Sequence, residues 1–317
     1  MSTLYIDRRH ASLETEGQAL VVRFDGERQR PVPLALLERV VLVGNVSLDT
    51  GVLMTLAEAG IAVQLGSVRK PGQRAMLLGA GHNNADLRLL QYRLSLEAGW
   101  RLGFARWLVL GKLRGQGRLV ARMQATRPDQ HKALVDAAQQ LQALHAPIAA
   151  ADNLDTLLGL EGSAARSSFQ ALAAVLPDSL EFRGRKRRPP PDPVNACLSL
   201  GYTLLHGRAV QVLHGQGLDP LLGFYHETAW GRESLASDLV EVWRPYVDGW
   251  VWDMFRTQYL RGSHFSFEGG SCYLGKAGRP LFFAGAETLL RPVTRAMRLQ
   301  VRQWLQTMRG WGEDGHA

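Results

Sequence analysis

The spacing of apolar positions changes near residue 85, and that change divides the chain. Before it, apolar residues come in short β-branched runs: Ala19-Leu-Val-Val-Arg-Phe24, Val40-Val-Leu-Val43 and Ile61-Ala-Val-Gln-Leu65. Asp25-Gly26, Pro31, Pro33, Gly44-Asn45 and Gly66 punctuate them, which is the signature of strands bounded by turns. One helix, over Thr50 to Ala59, separates the last two runs. The segment reads as a small, mostly antiparallel β domain over residues 1–85. From Asp86 the period becomes helical, beginning with Leu87, Leu90, Leu94 and Leu96, while Lys112, Arg114, Arg118 and Arg122 stud the later turns. A second helix is expected over Asp152–Leu176. A third opens at Asp192-Pro193, an N-cap followed by proline at the first helical position, and stops at Gly215/Gly217. A fourth runs from Ser234 towards Leu260, with Pro245 expected to kink or divide it. A last helix covers Ala286–Met308. The expected fold is α+β and multidomain: a β-rich N-terminal domain, then a larger α-helical domain over 86–317.

Composition agrees with this and adds a partner. The 317 residues are 46% hydrophobic and 21% charged, as befits a globular chain able to bury a core, and the length suits two domains. The formal net charge of +8 favours polyanionic partners such as nucleic acid. Cys197 and Cys272 are the two cysteines, too few for a disulfide framework or a cysteine-based zinc site. No apolar stretch reaches the roughly 18 residues of a membrane span and no signal peptide is visible, so a cytoplasmic location is expected.

Three pieces carry candidate chemistry. Glu161 follows Leu157 and Leu158 at helical spacing, which places a carboxylate on an apolar face; that is costly without a cation or hydrogen bonds beside it. An ion pair with Arg166 is the structural alternative. His226, in Leu221-Leu-Gly-Phe-Tyr-His226, follows a Gly-Leu-Asp-Pro turn and belongs on a loop. Asp238 and Glu241 are three apart on one helical face. Singly, each has an ordinary structural explanation. Together, two carboxylates and an imidazole on a basic protein suit Mg²⁺ or Mn²⁺, and such an ion beside a phosphodiester neutralises charge and activates a nucleophile. The residues alone leave Asp238 and Glu241 nearly tied for the second acid.

Charge placement supports a phosphodiester substrate. Arg183, Arg185, Lys186, Arg187 and Arg188 crowd a segment stiffened by Pro189, Pro190 and Pro191, a plausible grip for phosphates. Gly270-Ser-Cys-Tyr-Leu-Gly-Lys276-Ala277 nearly matches a nucleotide-binding loop but has Ala277 where Ser or Thr should bind Mg²⁺, so ATP binding is not expected.

These residues in this order resemble the CRISPR-associated adaptation integrases, endonucleases that insert spacers into CRISPR arrays. The resemblance runs through Val43-Gly-Asn-Val-Ser-Leu48, Gly159-Leu-Glu161-Gly-Ser-Ala-Ala-Arg166, Phe182 to Pro190, Asp192-Pro-Val-Asn195, Gly201-Tyr202, Leu222 to His226 and Asp238-Leu-Val-Glu241-Val-Trp-Arg-Pro245. It implies a catalytic set of Glu161, His226, Glu241 and Asp238. Glu161, His226 and Glu241 would hold Mg²⁺ or Mn²⁺, with Asp238 as a close accessory. It also implies joining of DNA 3′-hydroxyl ends by transesterification, a homodimer, and a small ferredoxin-like Cas partner. Arg166, the 183–188 cluster, Asn195 and Arg244 would surround double-stranded or branched DNA or orient the ligands; Lys112 and Arg114 are further DNA-contact candidates. One departure is Gly115-Gln116, where the family often has Asn-Gln. The rival reading is a non-catalytic DNA-binding scaffold whose acids form structural ion pairs.

Overall fold

In a computed structural model, residues 2–8, 10–66, 74–79, 84–186 and 188–313 are described. The first unit comprises the chain up to residue 83 together with Arg279–Arg291. Its strands are β1 (Ser2–Ile6), β2 (Ala11–Glu16), β3 (Ala19–Phe24), β4 (Glu27–Arg28), β5 (Val32–Pro33), β6 (Leu37–Val43), β7 (Val46–Leu48), β8 (Ala62–Gly66) and β9 (Arg74–Leu77), with helix α1 (Thr50–Glu58) before β8. One sheet runs β1-β6-β8-β9 and the other β4-β3-β2-β7, with β5 also paired to β3.

The expectation of a mostly antiparallel domain is corrected here: the sheets are mixed. β6 pairs in parallel with both β1 and β8, and β2 with β7, whereas β2–β3 and β8–β9 are antiparallel. The reason is α1, which carries the chain across so that β8 re-enters beside β6 in the same direction. Asp49 caps it, accepting from Val52 N at 3.0 Å. As the central strand, β6 is buried on both faces, which accounts for its unbroken Val40-Val-Leu-Val43 run. Ile6, Leu13, Leu20, Leu42, Leu56 and Val63 form the core of this unit.

The second unit holds α2 (Ala85–Leu96), α3 (Ala98–Thr126), α4 (His131–Ala143), α5 (His145–Ala150), α6 (Leu154–Val175), α7 (Pro193–Gly215), α8 (Ser234–Glu241) and α9 (Arg244–Arg256). A hairpin of β10 (Phe265–Glu268) and β11 (Ser271–Leu274) follows, then most of α10 (Gly278–Glu313). A small β-rich region thus precedes a mostly helical one, as the periodicity anticipates. α7 starts where the Asp192-Pro193 signal places it, with Asp192 accepting from Asn195 N at 2.8 Å, and it is apolar nearly all round because it runs through the core. Pro245 divides the fourth predicted helix: α8 stops at Glu241 and α9 begins at Arg244, with the proline in its first turn, where no N–H is needed. α10 begins eight residues before the expected start at Ala286, and its Arg279–Arg291 segment groups with the first unit, which the division at 85/86 does not anticipate. Among the described residues no helix is long and apolar enough to cross a membrane.

Candidate functional site

Four stretches of the helical unit bring the chemistry-bearing side chains together. Lys112 projects from α3, Glu161 from α6 and Glu241 from the end of α8, while Tyr225 and His226 lie on the segment joining α7 to α8. The Lys112 ammonium donates to Oε1 of Glu161 and, at 2.6 Å, to Oε2 of Glu241. It is 7% exposed, so the two acids supply the compensation that its burial requires. Burial would lower the Lys112 pKa, but the adjacent Glu241 and Glu161 carboxylates raise it and keep the amine charged. The Tyr225 hydroxyl donates to Oε2 of Glu161 at 3.0 Å. Glu161 sits at the edge of its helix's buried stripe: Leu157 is buried, whereas Leu158 is 44% exposed.

Asp238 and Glu241 have different surroundings. Asp238 is 0% exposed and saturated by donors. Its Oδ2 accepts from the backbone N–H of Phe224 and Tyr225, and its Oδ1 from the N–H and ring Nδ1 of His226. A carboxylate only accepts, so the Nδ1 that faces Asp238 carries a proton, and Nε2 is the ring nitrogen directed away from it. That Nε2 lies 3.9 Å from Oε1 of Glu241. Burial alone would raise the Glu241 carboxyl, but Arg244 and Lys112 beside it hold it down at about 2. Arg244 Nε is 2.9 Å from Glu241 Oε1, an ion pair whose angle is too poor for a hydrogen bond. An imidazole nitrogen beside charged carboxylate oxygens is a donor set that a hard divalent cation takes. With Lys112 between the acids, no three His, Cys, Asp or Glu side chains among the described residues close around a metal position.

A second network joins this centre to the basic segment. Buried Asn195 binds that segment back on itself: its Oδ1 accepts from Lys186 N and Arg185 Nη1, and its Nδ2 donates to Gly184 O and Asp192 Oδ2. Arg185 also donates to Ser199 Oγ. The Arg185 and Arg244 guanidinium groups both lie over the Tyr202 ring, 5.4 and 4.9 Å from its centroid. The Tyr202 hydroxyl donates to Asp248, whose carboxyl is pushed up to about 6 by burial. Arg114, Arg166, Arg183, Lys186 and Arg188 are at least partly exposed; Arg187 lies outside the described residues.

The family model described as "CRISPR associated protein Cas1" matches residues 4–288. A curated relative, "CRISPR-associated endonuclease Cas1 1" of Thermodesulfovibrio yellowstonii, is 39% identical over 292 residues, covering 89% of each chain. The chain belongs to the Cas1 family. Among solved structures, a Cas1 protein from Thermotoga maritima superposes with a TM-score of 0.84 at 21% identity, over 97% of each chain. A structure titled "Casposase bound to integration product" also gives 0.84, at 20% identity over 97% of this chain and 90% of that one. At these identities the structures establish the Cas1 fold.

Within this Cas1 chain, the fold gathers Glu161, His226, Glu241 and Asp238 from separated segments, with Lys112 and Arg244 against them. Lys112 sits buried inside the acidic centre, unlike the exposed Arg114, and Asn195 is spent on loop geometry. Sequence reasoning does not single out Tyr225, Asp248 or Gln91. Gln91, fully buried, grips the segment leading to His226 by donating to Asp219 O and Leu222 O and accepting from Asp219 N. A polar residue at the buried face of α2 is the available signal. Gly115, the departure from the family pattern, packs so closely on Pro245 that a Cβ there would lie 3.1 Å from its ring. The nucleotide-loop lookalike forms the β10–β11 turn and strand, with the leading strand largely exposed.

Proposed function

We propose that this chain is a divalent-metal-dependent DNA endonuclease and integrase that joins the 3′-hydroxyl ends of short DNA to a CRISPR array. Glu161, Glu241 and Nε2 of His226 would hold Mg²⁺ or Mn²⁺, which when bound would neutralise phosphodiester charge and favour formation of the attacking oxyanion. The chain's own residues do the positioning. Asp238 fixes the His226 tautomer and ring plane, so that Nε2 is the donor presented. Tyr225 fixes one Glu161 oxygen, and Arg244 fixes one Glu241 oxygen. Arg183, Lys186, Arg188, Arg166 and Arg114 supply cations for the DNA backbone, and the Arg185–Tyr202–Arg244 stack ties the basic segment to the acid centre. The observation that carries the reading is the convergence of Glu161, Glu241 and His226 in a chain 39% identical to a named Cas1 endonuclease.

A working assembly would be a homodimer with a small ferredoxin-like Cas partner, as the family resemblance implies; exposed Leu36, Met54 and Leu65 give the first unit apolar surface for protein contact. The non-catalytic scaffold reading keeps one observation in its favour: Lys112 already satisfies both acids as structural ion pairs. One experiment separates the two. The full chain is incubated with branched DNA bearing a free 3′-hydroxyl, in Mn²⁺ and in EDTA. The integrase reading expects metal-dependent strand cleavage and joining, lost in Glu161→Ala, His226→Ala and Glu241→Ala while DNA binding persists. Full joining by His226→Ala overturns it, and binding without any chemistry supports the scaffold.

A further inference from the structure

The two acids present their facing oxygens, Glu161 Oε1 and Glu241 Oε2, to one ammonium. Their remaining oxygens are engaged elsewhere: Glu161 Oε2 accepts from Tyr225, and Glu241 Oε1 faces Arg244 at 2.9 Å. A divalent ion drawn to these acids would compete with the Lys112 ammonium for the negative charge that it now balances. Lys112 is buried, with its ammonium between the two acids. Its position is built into the fold. α3 delivers it between α6 and α8, and the close approach of Gly115 to Pro245 brings α3 against the α8–α9 junction.

We propose that Lys112 is an internal competitor for the metal: its ammonium balances Glu161 and Glu241 when no ion is bound, and divalent binding displaces it. The proposal rests on the metal-binding reading above. It gives Lys112 a role distinct from DNA contact, because it sets how tightly the ion is held and keeps the acid pair folded without one. Removing the competitor leaves the partly buried Glu161 and the buried Glu241 short of compensating charge, Arg244 still facing Glu241, and a divalent cation would supply the rest.

The test is Mn²⁺ titration of the DNA-free full chain, followed by calorimetry and by thermal denaturation. Lys112→Met, with Lys112→Gln as the milder variant should Met not fold, is expected to melt lower than the wild type without metal. It is expected to bind Mn²⁺ at least about tenfold more tightly, equivalent to about 1.4 kcal/mol of competition removed. Its melting point should therefore rise more on adding Mn²⁺. In the wild type, acylation of the Lys112 amine, read by mass spectrometry, should increase when Mn²⁺ is added. Glu161→Ala serves as the control for binding at this site. Glu161-dependent binding that is equal or weaker in both Lys112 variants overturns the competition while leaving the metal site standing, as does Lys112 acylation unmoved by Mn²⁺. Absence of Glu161-dependent binding in every protein overturns the metal reading and this inference with it.

Discussion

Asp238 holds His226 twice, its Oδ1 accepting the backbone N–H at 3.0 Å and the ring Nδ1 at 2.7 Å. Its other oxygen holds Phe224 and Tyr225, so one carboxylate organises three consecutive residues. Replacement by asparagine puts an amide NH₂ where donors already point. Asp238→Asn is expected to lower stability by roughly 2–4 kcal/mol and to abolish strand joining, whereas His226→Ala should lose joining with a much smaller change in melting. Denaturant unfolding of both variants checks this; equal stabilities would contradict it. Gly223 belongs to the same arrangement, because a Cβ there would lie 2.9 Å from Asp238 Oδ2.

Tyr225 makes a narrower prediction. Tyr225→Phe removes the one hydroxyl donated to Glu161 Oε2 and keeps the buried ring. A hydrogen bond to a charged group amounts to about 1.5–3 kcal/mol, so the variant should melt a few degrees lower. Strand joining should fall about tenfold or more with DNA affinity unchanged, since the displaced group is an acid of the centre and not a DNA contact. Gel-shift and joining assays on the same preparation would show the split.

Asp248 gives the chain a pH signature. Burial raises its folded-state pKa from 3.8 to about 6, so the folded chain holds a proton that the unfolded chain releases first. The stability this contributes is full below the unfolded value and is lost as pH rises through about 6. The expected loss is roughly 2 kcal/mol between pH 4 and pH 7. Asp248→Asn keeps an acceptor for Tyr202 and removes the titration, so its stability should change less than the wild type over that window. Chemical denaturation at a series of pH values is the measurement.

The cations of the basic segment and the buried latch beneath them separate in a salt titration. Alanine at Arg183, Lys186 and Arg188 should weaken DNA binding and reduce the salt slope by roughly one for each phosphate that is no longer neutralised. Asn195→Ala leaves every cation in place but releases Arg185, Lys186 and Gly184 from their shared partner. It should weaken binding with a nearly unchanged slope and make the 183–188 segment easier to cleave by protease. An unaltered protease pattern would count against the latch.

The sequence by itself determined the order of elements, the change from strand to helix near residue 85, and the start of α7 at Asp192-Pro193. These follow from local period, caps and proline, which act over a turn or two of chain. It also supplied the separated candidates Glu161, His226, Asp238 and Glu241 and, through the spacing of its motifs, membership of a family. It left the sheets looking antiparallel, because a crossover and a hairpin can carry the same alternating pattern in their strands. It placed Lys112 among surface cations, because a lysine in a basic helix gives no local sign of the acids that meet it from α6 and α8. Only tertiary packing decided that Asp238 faces three backbone N–H groups while Glu241 faces Lys112, beside the Arg244 that lies three residues on. The two acids sit three residues apart on one helix face, and what distinguishes them comes from residues at least twelve positions from Asp238 in one case and from Lys112 on α3 in the other.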